Sequence, residues 1–201
     1  MNNIAISGSN LSQRSYLAKA FSAMTGIDLI ERTPYSSIAF RYKLDNEISK
    51  CQWPDSYIYC LGAFIQRIIV EQKLEDSYIS DGGVFDELCW MKCRYPHIEL
   101  IYERSMIQSL ENVIVDYALN QYAFIFHIDS NNPSDLTDQC LKELYLHRKI
   151  KHHIIDATNE EDALNQMLDQ LQIKPLLSAK YALLKADYEI PLNVGANLKE
   201  K

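Results

Sequence analysis

The chain lacks an excess of positive charge: 20 Lys and Arg face 27 Asp and Glu, a formal net charge of −7. That balance argues against a sequence-independent grip on nucleic acid or on an anionic membrane. Long apolar runs are missing too. The longest, Tyr57 to Ile65, is far too short to span a bilayer, and Met1-Asn2-Asn3 carries no positively charged leader, so a soluble, cytoplasmic protein is expected. No C-x-x-C pair occurs among the five cysteines (Cys51, Cys60, Cys89, Cys93, Cys140), and their number is odd, which fits buried thiols in a reducing compartment. Cys89 and Cys93 would share a helix face, but two ligands without a second pair make a poor zinc site. G-x-S-x-G, H-E-x-x-H and internal repeats are absent. Adjacent His152 and His153 would point to opposite faces of a strand, and His127, inside an apolar run, reads as a core histidine.

What is present is enough apolar residue for one globular core: 201 residues, 47% hydrophobic and 23% charged. The chain is organised around Asn3 to Phe21. Ile4-Ala5-Ile6 is a short buried-strand run that stops at Ser7-Gly8, and apolar residues then recur at helical spacing at Leu17, Ala20, Phe21 and Met24. The intervening loop, Gly8-Ser9-Asn10-Leu11-Ser12-Gln13-Arg14-Ser15, has the length and position of the phosphate-cradling loop G-x-x-x-x-G-K-[ST], with Gln13 for its second glycine and Arg14 for its lysine. Main-chain N–H groups of such a loop turn inward on an anion together with the first turn of the following helix. Arg14 keeps the charge but offers a broad planar fork instead of a compact ammonium. If position 13 needs a left-handed backbone, Gln13 costs about 1–2 kcal/mol there. Ser15 retains the hydroxyl that would sit on Mg²⁺. A plain strand-to-helix turn without ligand is the simpler alternative.

Ile27 to Ile30 reads as a second strand, ending at Glu31-Arg32 before Pro34, with Arg32 placed where substrate contacts collect. Residues Tyr35 to Gln52 suit one or two short helices. Asp55 to Gln72 is the strongest helix, with Ile58, Leu61, Ile65, Ile68 and Ile69 as its apolar stripe, widened by Cys60 and Phe64. Tyr78-Ile79-Ser80 is a third strand that runs into Asp81-Gly82-Gly83, and Val84 opens a new helix. Asp81 reads either as a metal-organising or proton-accepting carboxylate or as a turn aspartate. Ser105 to Leu119 is helical, Tyr122 to Ile128 an apolar strand, and Leu141, Leu144 and Tyr145 line a helix ending in the basic cluster His147 to His153. Ile154-Ile155-Asp156 is the last strand, and Thr158-x-x-Glu161 is a capping box for a helix lined by Ala163, Leu164, Met167, Leu168 and Leu171. Such alternation predicts an α/β protein with a parallel sheet. Residues 1–173 form the expected domain, and 174–201 a C-terminal helix and tail. The tail would pack on the domain, mediate self-association or meet a partner.

Ile4 to Gly8, Arg14-Ser15, the helix with Gln66 and Glu71, and Tyr78-Ile-Ser-Asp81-Gly-Gly-Val-Phe-Asp86 with Arg94-Tyr95 together resemble the P-loop nucleotide-kinase group. More narrowly they resemble the small AAA-type ATP-binding family related to nicotinamide riboside kinases. The resemblance covers Asn3 to Leu171 and implies a three-layer P-loop NTPase fold, a five-stranded parallel sheet flanked by helices, with ATP and Mg²⁺ as cofactors. It places Gly8 and Ser15 on phosphate and metal, Asp81 as the catalytic or magnesium carboxylate, Asp86 at the second acidic position, and Arg148 or Lys149 in a lid. The basic cluster also suits a solvated helix end. Three departures stand out: Gln13-Arg14 for Gly-Lys, Gly82 where the family has arginine, and a short lid.

Two functions fit. In one, Gly8–Ser15 holds ATP, Ser15 and Asp81 the metal, Asp81 and Arg14 act in phosphoryl transfer, and Arg32, Asp86 and Arg148 meet a small acceptor. In the other, a pseudokinase with a degenerate loop works through protein contacts.

Overall fold

A computed structural model describes residues 3–32, 35–44, 53–94 and 101–188. Five strands, β1 (Ile4–Ser7), β2 (Asp28–Ile30), β3 (Tyr78–Asp81), β4 (Phe124–Ile128) and β5 (His153–Ile155), form one parallel sheet in the order β2-β3-β1-β4-β5. Helices α1 (Leu11–Thr25), α2 (Tyr35–Tyr42), α3 (Asp55–Glu71), α4 (Phe85–Arg94), α5 (Ile101–Gln121), α6 (Leu136–Arg148), α7 (Glu160–Leu171) and α8 (Ala179–Tyr188) complete it. The α/β architecture with a five-stranded parallel sheet is as expected. Both faces of a parallel sheet must be covered, because its crossovers return over them.

Alternation along the strands divides the core into two layers. Ile4, Ile6, Ile79, Phe126 and Ile128 meet α1, α7 and α8, while Ala5, Tyr78 and Ile125 face α3, α4, α5 and α6. Leu17, Phe21 and Met24 of α1 are fully buried, each contributing about 1.5–3 kcal/mol by leaving water. Helix α8 presents Ala179, Ala182 and Ala186 to the same layer, and these small side chains let it lie close on α1. The C-terminal helix thus packs on the domain. The tail 189–201 and the stretch 45–52 lie outside the described residues.

Three local expectations are corrected. Helix α3 buries only part of the predicted stripe: Cys60 and Phe64 are in the core and Ile58, Leu61 and Ile68 pack against it, but Ile65 and Ile69 are exposed, and the inward face also carries Tyr59, Arg67 and Glu71. The reason is polar. Arg67 donates to the carbonyls of Asp81 and Ile30, and Glu71 accepts from Ser80, Tyr117 and Tyr122. Tyr122, expected in a strand, instead closes α5 through its N–H to Ala118 O. The N-cap of α7 is Asn159, which takes the N–H groups of Glu161 and Asp162, while Thr158 N–H goes to Asp156. Asparagine caps at least as well as threonine, so the helix starts one residue later. Among the described residues no helix is long and apolar enough to cross a membrane.

Candidate functional site at the first strand-to-helix turn

In a parallel sheet the loops that follow the strands gather at one edge, and a crevice outside those strand ends is the usual place for a ligand. Here Ser7-Gly8, Ile30-Glu31 and Asp81-Gly82 come together, because Ile6 pairs with Asp81 and Ile30 with Ser80. The turn after β1 is shorter than the eight residues anticipated. Helix α1 begins at Leu11, capped by Asn10, whose side chain accepts the N–H of Gln13 at 3.3 Å. Only Gly8, Ser9 and Asn10 remain outside regular structure. Leu11, Ser12, Gln13, Arg14 and Ser15 are helical, so Gln13 carries no left-handed strain, and its amide donates to Ala157 O at 2.8 Å.

Arg14 is the centre of the corner. Its side chain is 0% exposed, with Nε 3.0 Å from Asp81 Oδ1, Nη1 3.0 Å from the Gly8 carbonyl and 3.4 Å from Asp86 Oδ2. Burial opposes the charge, but Asp86 and then Asp81 outweigh it and raise the guanidinium pKa. Asp86 takes what a phosphate would take: its Oδ1 accepts the Gly8 N–H at 3.0 Å and the Ser7 hydroxyl at 2.8 Å. Burial lifts the Asp86 pKa above the usual carboxylate range, and Arg14 only partly offsets it. Tyr145 closes the back, its hydroxyl 2.7 Å from Ser7 Oγ.

Gly82 completes the arrangement. It has φ +82°, and a Cβ there would stand 3.0 Å from Arg14 Nη2. A side chain at residue 82 would therefore crowd the Arg14 guanidinium, which couples the small residue there to the arginine at position 14.

Ser15 and Asp81, the expected metal pair, do meet: Ser15 Oγ donates to Asp81 Oδ2 at 2.6 Å. Arg32 is drawn to the neighbouring strand end, its Nε 2.9 Å from Glu87 Oε1 and its Nη2 3.0 Å from the Tyr59 hydroxyl. Arg14, Arg32 and Arg67 are thus matched within one network by Asp81, Asp86 and Glu87, and Asp135, the N-cap of α6, adds a carboxylate 2.6 Å from Ser9 Oγ. Arg148 is not brought to the corner. It sits about 20 Å along α6 from Asp135, where it pairs with Glu111 and Asn112 on α5. Sequence reasoning missed Ser7, Arg67, Glu87 and Tyr145. Arg67 alone left a signal, a cation three residues after Phe64 on the strongest helix.

His127 is a core residue, its Nε2 2.9 Å from Asp138 Oδ1. Among the described residues no group of three or more His, Cys, Asp or Glu side chains is arranged to hold a metal ion.

No protein-family model matches the chain, and no curated protein does. Among solved structures it is similar to a deoxyadenosine kinase from M. mycoides, described with the products dCMP and a flexible dCDP bound. The identity is 13%, the match covers 85% of this chain and 98% of that one, and the TM-score is 0.57. The chain shares the fold of that protein, a five-stranded parallel sheet flanked by helices. At that identity the likeness establishes architecture, and the chemistry rests on the corner itself.

Proposed function

We infer that this chain is a pseudokinase: a nucleotide-kinase scaffold whose phosphate seat is filled by its own side chains and which acts by binding a protein partner. One observation carries the reading. Arg14 is wholly buried between Asp81 and Asp86, with Asp86 already on the Gly8 N–H. The residues present do not fit a triphosphate. Seating one requires the first turn of α1 to unwind, Asp86 to leave Gly8, and a second anion to enter a corner where the arginines are already paired. Parting Arg14 from its buried carboxylates costs about 3–5 kcal/mol. That weakens a micromolar ligand, near −8 kcal/mol, to roughly millimolar.

A second reading, retained ATP and Mg²⁺ binding with a nucleoside-type acceptor, is favoured by the Ser15–Asp81 contact and by the nucleotide products named for the similar kinase. Thermal unfolding with ATP, GTP and dATP, each with and without Mg²⁺, separates the two. A site holding ligand at 100 times its Kd gains about 2.7 kcal/mol, or about 5–10 °C for a chain of this size. At ~1 mM nucleotide, the affinity reached above, the pseudokinase reading expects a gain of at most about 0.4 kcal/mol, a shift of about 1–2 °C. A shift of the larger size, present only with Mg²⁺, overturns it in favour of the second.

A further inference from the structure

A second chemical centre lies further along α4, up to two turns on from Asp86, where α4 packs on α6. Cys89 and Cys93, one turn apart on α4, both lie toward Cys140 of α6: Cys140 packs against the core cluster that buries Cys89, and Cys93 and Cys140 share the wall of one cavity. All three are free thiols. Cys89 is fully buried behind the other two, whereas Cys93 and Cys140 are half-buried and stand in the wall of an open cavity of about 360 Å³. Lys92 and Glu111, bonded at 2.7 Å, line the same cavity with Glu143 and His147.

The three sulfurs are not equivalent. Two S–H groups converge on Cys140, and Lys92 adds positive charge beside it. Together these outweigh burial and the repulsion from Glu111, and hold the Cys140 thiol well below the usual thiol range. Cys89 is pushed up by burial, and Cys93 by its contact with Cys140, so both stay protonated donors. The Cys93 thiol also lies 3.0 Å from Leu136 O. A thiolate is the nucleophilic form of cysteine, and one that is stabilised, reachable from solvent and backed by a second accessible thiol is arranged for oxidation.

We propose that Cys140 and Cys93 form a reactive dithiol site that takes a small hydroperoxide from the α4/α6 cavity and closes to a disulfide. The Cys140 thiolate attacks the terminal oxygen of ROOH. The S–O bond forms as O–O breaks, and RO⁻ leaves to be protonated by water, giving Cys140 sulfenic acid and ROH. Cys93 then gives up its proton and attacks the Cys140 sulfur. The S–S bond forms as S–O breaks, and hydroxide leaves with that proton as water. The dithiol loses two electrons, and the peroxide bond gains them. Cys93 fills the second role because it faces the cavity and lets water escape, which Cys89 does not.

The test treats the full chain at pH 6 with one equivalent of hydrogen peroxide and maps the products by mass spectrometry without reduction. Trypsin cuts after Lys92 and so separates Cys89 from Cys93. The expected product is a Cys93–Cys140 linkage, formed on the order of tenfold or more faster than glutathione is oxidised in the same tube, because a free thiol is under about 1% thiolate at that pH. Cys93→Ser should stop at a Cys140 sulfenic acid that dimedone traps, and Cys140→Ser should abolish the fast phase. Linkage through Cys89, oxidation spread evenly over the cysteines, or a rate equal to that of glutathione overturns the proposal. The wild-type map decides if a variant fails to fold. These outcomes do not depend on whether nucleotide binds at the β1–α1 turn.

Discussion

Removing the Arg14 side chain is the sharpest perturbation the corner offers. Arg14→Ala leaves Asp81 and Asp86, whose side chains are 5% and 6% exposed, without their shared cation. Deleting one partner of a buried pair costs about 3–5 kcal/mol, which lowers the midpoint of thermal unfolding by roughly 6–20 °C for a chain of this length. The pH dependence supplies an internal control. Burial already holds the Asp86 pKa above its unfolded value, so the native state binds its proton more readily than the unfolded state does. Stability from that proton is fully present below the unfolded pKa and is lost as pH rises through the folded one. Without Arg14 the folded pKa climbs further. The gap between wild type and Arg14→Ala should therefore be widest at neutral pH and narrow as the solution is acidified. Urea unfolding at pH 7 and pH 5 measures both, and Arg14→Lys should fall between, since a single ammonium cannot span Asp81, Asp86 and the Gly8 carbonyl together. A cycle with Asp86→Asn adds the coupling. A loss under about 1 kcal/mol at pH 7, against the range for a broken buried pair, or a gap that ignores pH, refutes the buried-pair account.

Two further changes probe the frame around Arg14. Gly8→Ala places a Cβ 2.7 Å from the Ile128 carbonyl at φ +148°, so a loss of about 1–3 kcal/mol is expected in the same unfolding assay, and a neutral result would mean the turn is looser than described. Asp138 is buried, which raises its pKa, but His127 and Lys142 outweigh burial and leave it depressed. Its contribution is present above the unfolded pKa, about 3.9, and disappears as pH falls through the folded value. Asp138→Asn should cost about 1.5–3 kcal/mol at pH 7, with the difference from wild type closing below about pH 4. A constant difference down to pH 2 would sink the assignment (the unfolded carboxylate is fully titrated by about that pH).

The alternation of strands and helices was legible because it depends on local periodicity, and β1, the bend at Gly8 and the placement of Asp81 at a strand end all follow from it. The start of α1 also left a local signal. Asn10 followed by Gln13 is a helix-capping pattern, and the spacing from Gly8 to Ser15 happens to match a phosphate loop equally well. What the chain could not disclose locally is that Arg14 is buried. A charged residue reads as solvent-facing until its partners are known, and those partners, Asp81 and Asp86, lie on β3 and α4, far along the chain. The misplaced face of α3 has the same origin. Its isoleucines suggest a stripe, yet Arg67 and Glu71 turn inward because only they satisfy carbonyls and hydroxyls at the sheet's edge.

The two departures at the corner make physical sense only together. A lysine at position 14 would present one compact charge and leave room beside Gly82. An arginine fills that room, and its planar fork reaches Asp81, Asp86 and the Gly8 carbonyl at once. An arginine at position 82 would then meet the Arg14 guanidinium at close range with like charge, and glycine there avoids both a clash and a repulsion. Asp86 Oδ1 accepts the Gly8 N–H that a phosphate oxygen would otherwise take, and the same cation partly offsets the burial that raises the Asp86 pKa. Arg14, Arg32 and Arg67 are each held at this corner by groups of their own chain, while Arg14 Nη2 and Asp86 Oδ2 are buried there without a hydrogen-bond partner.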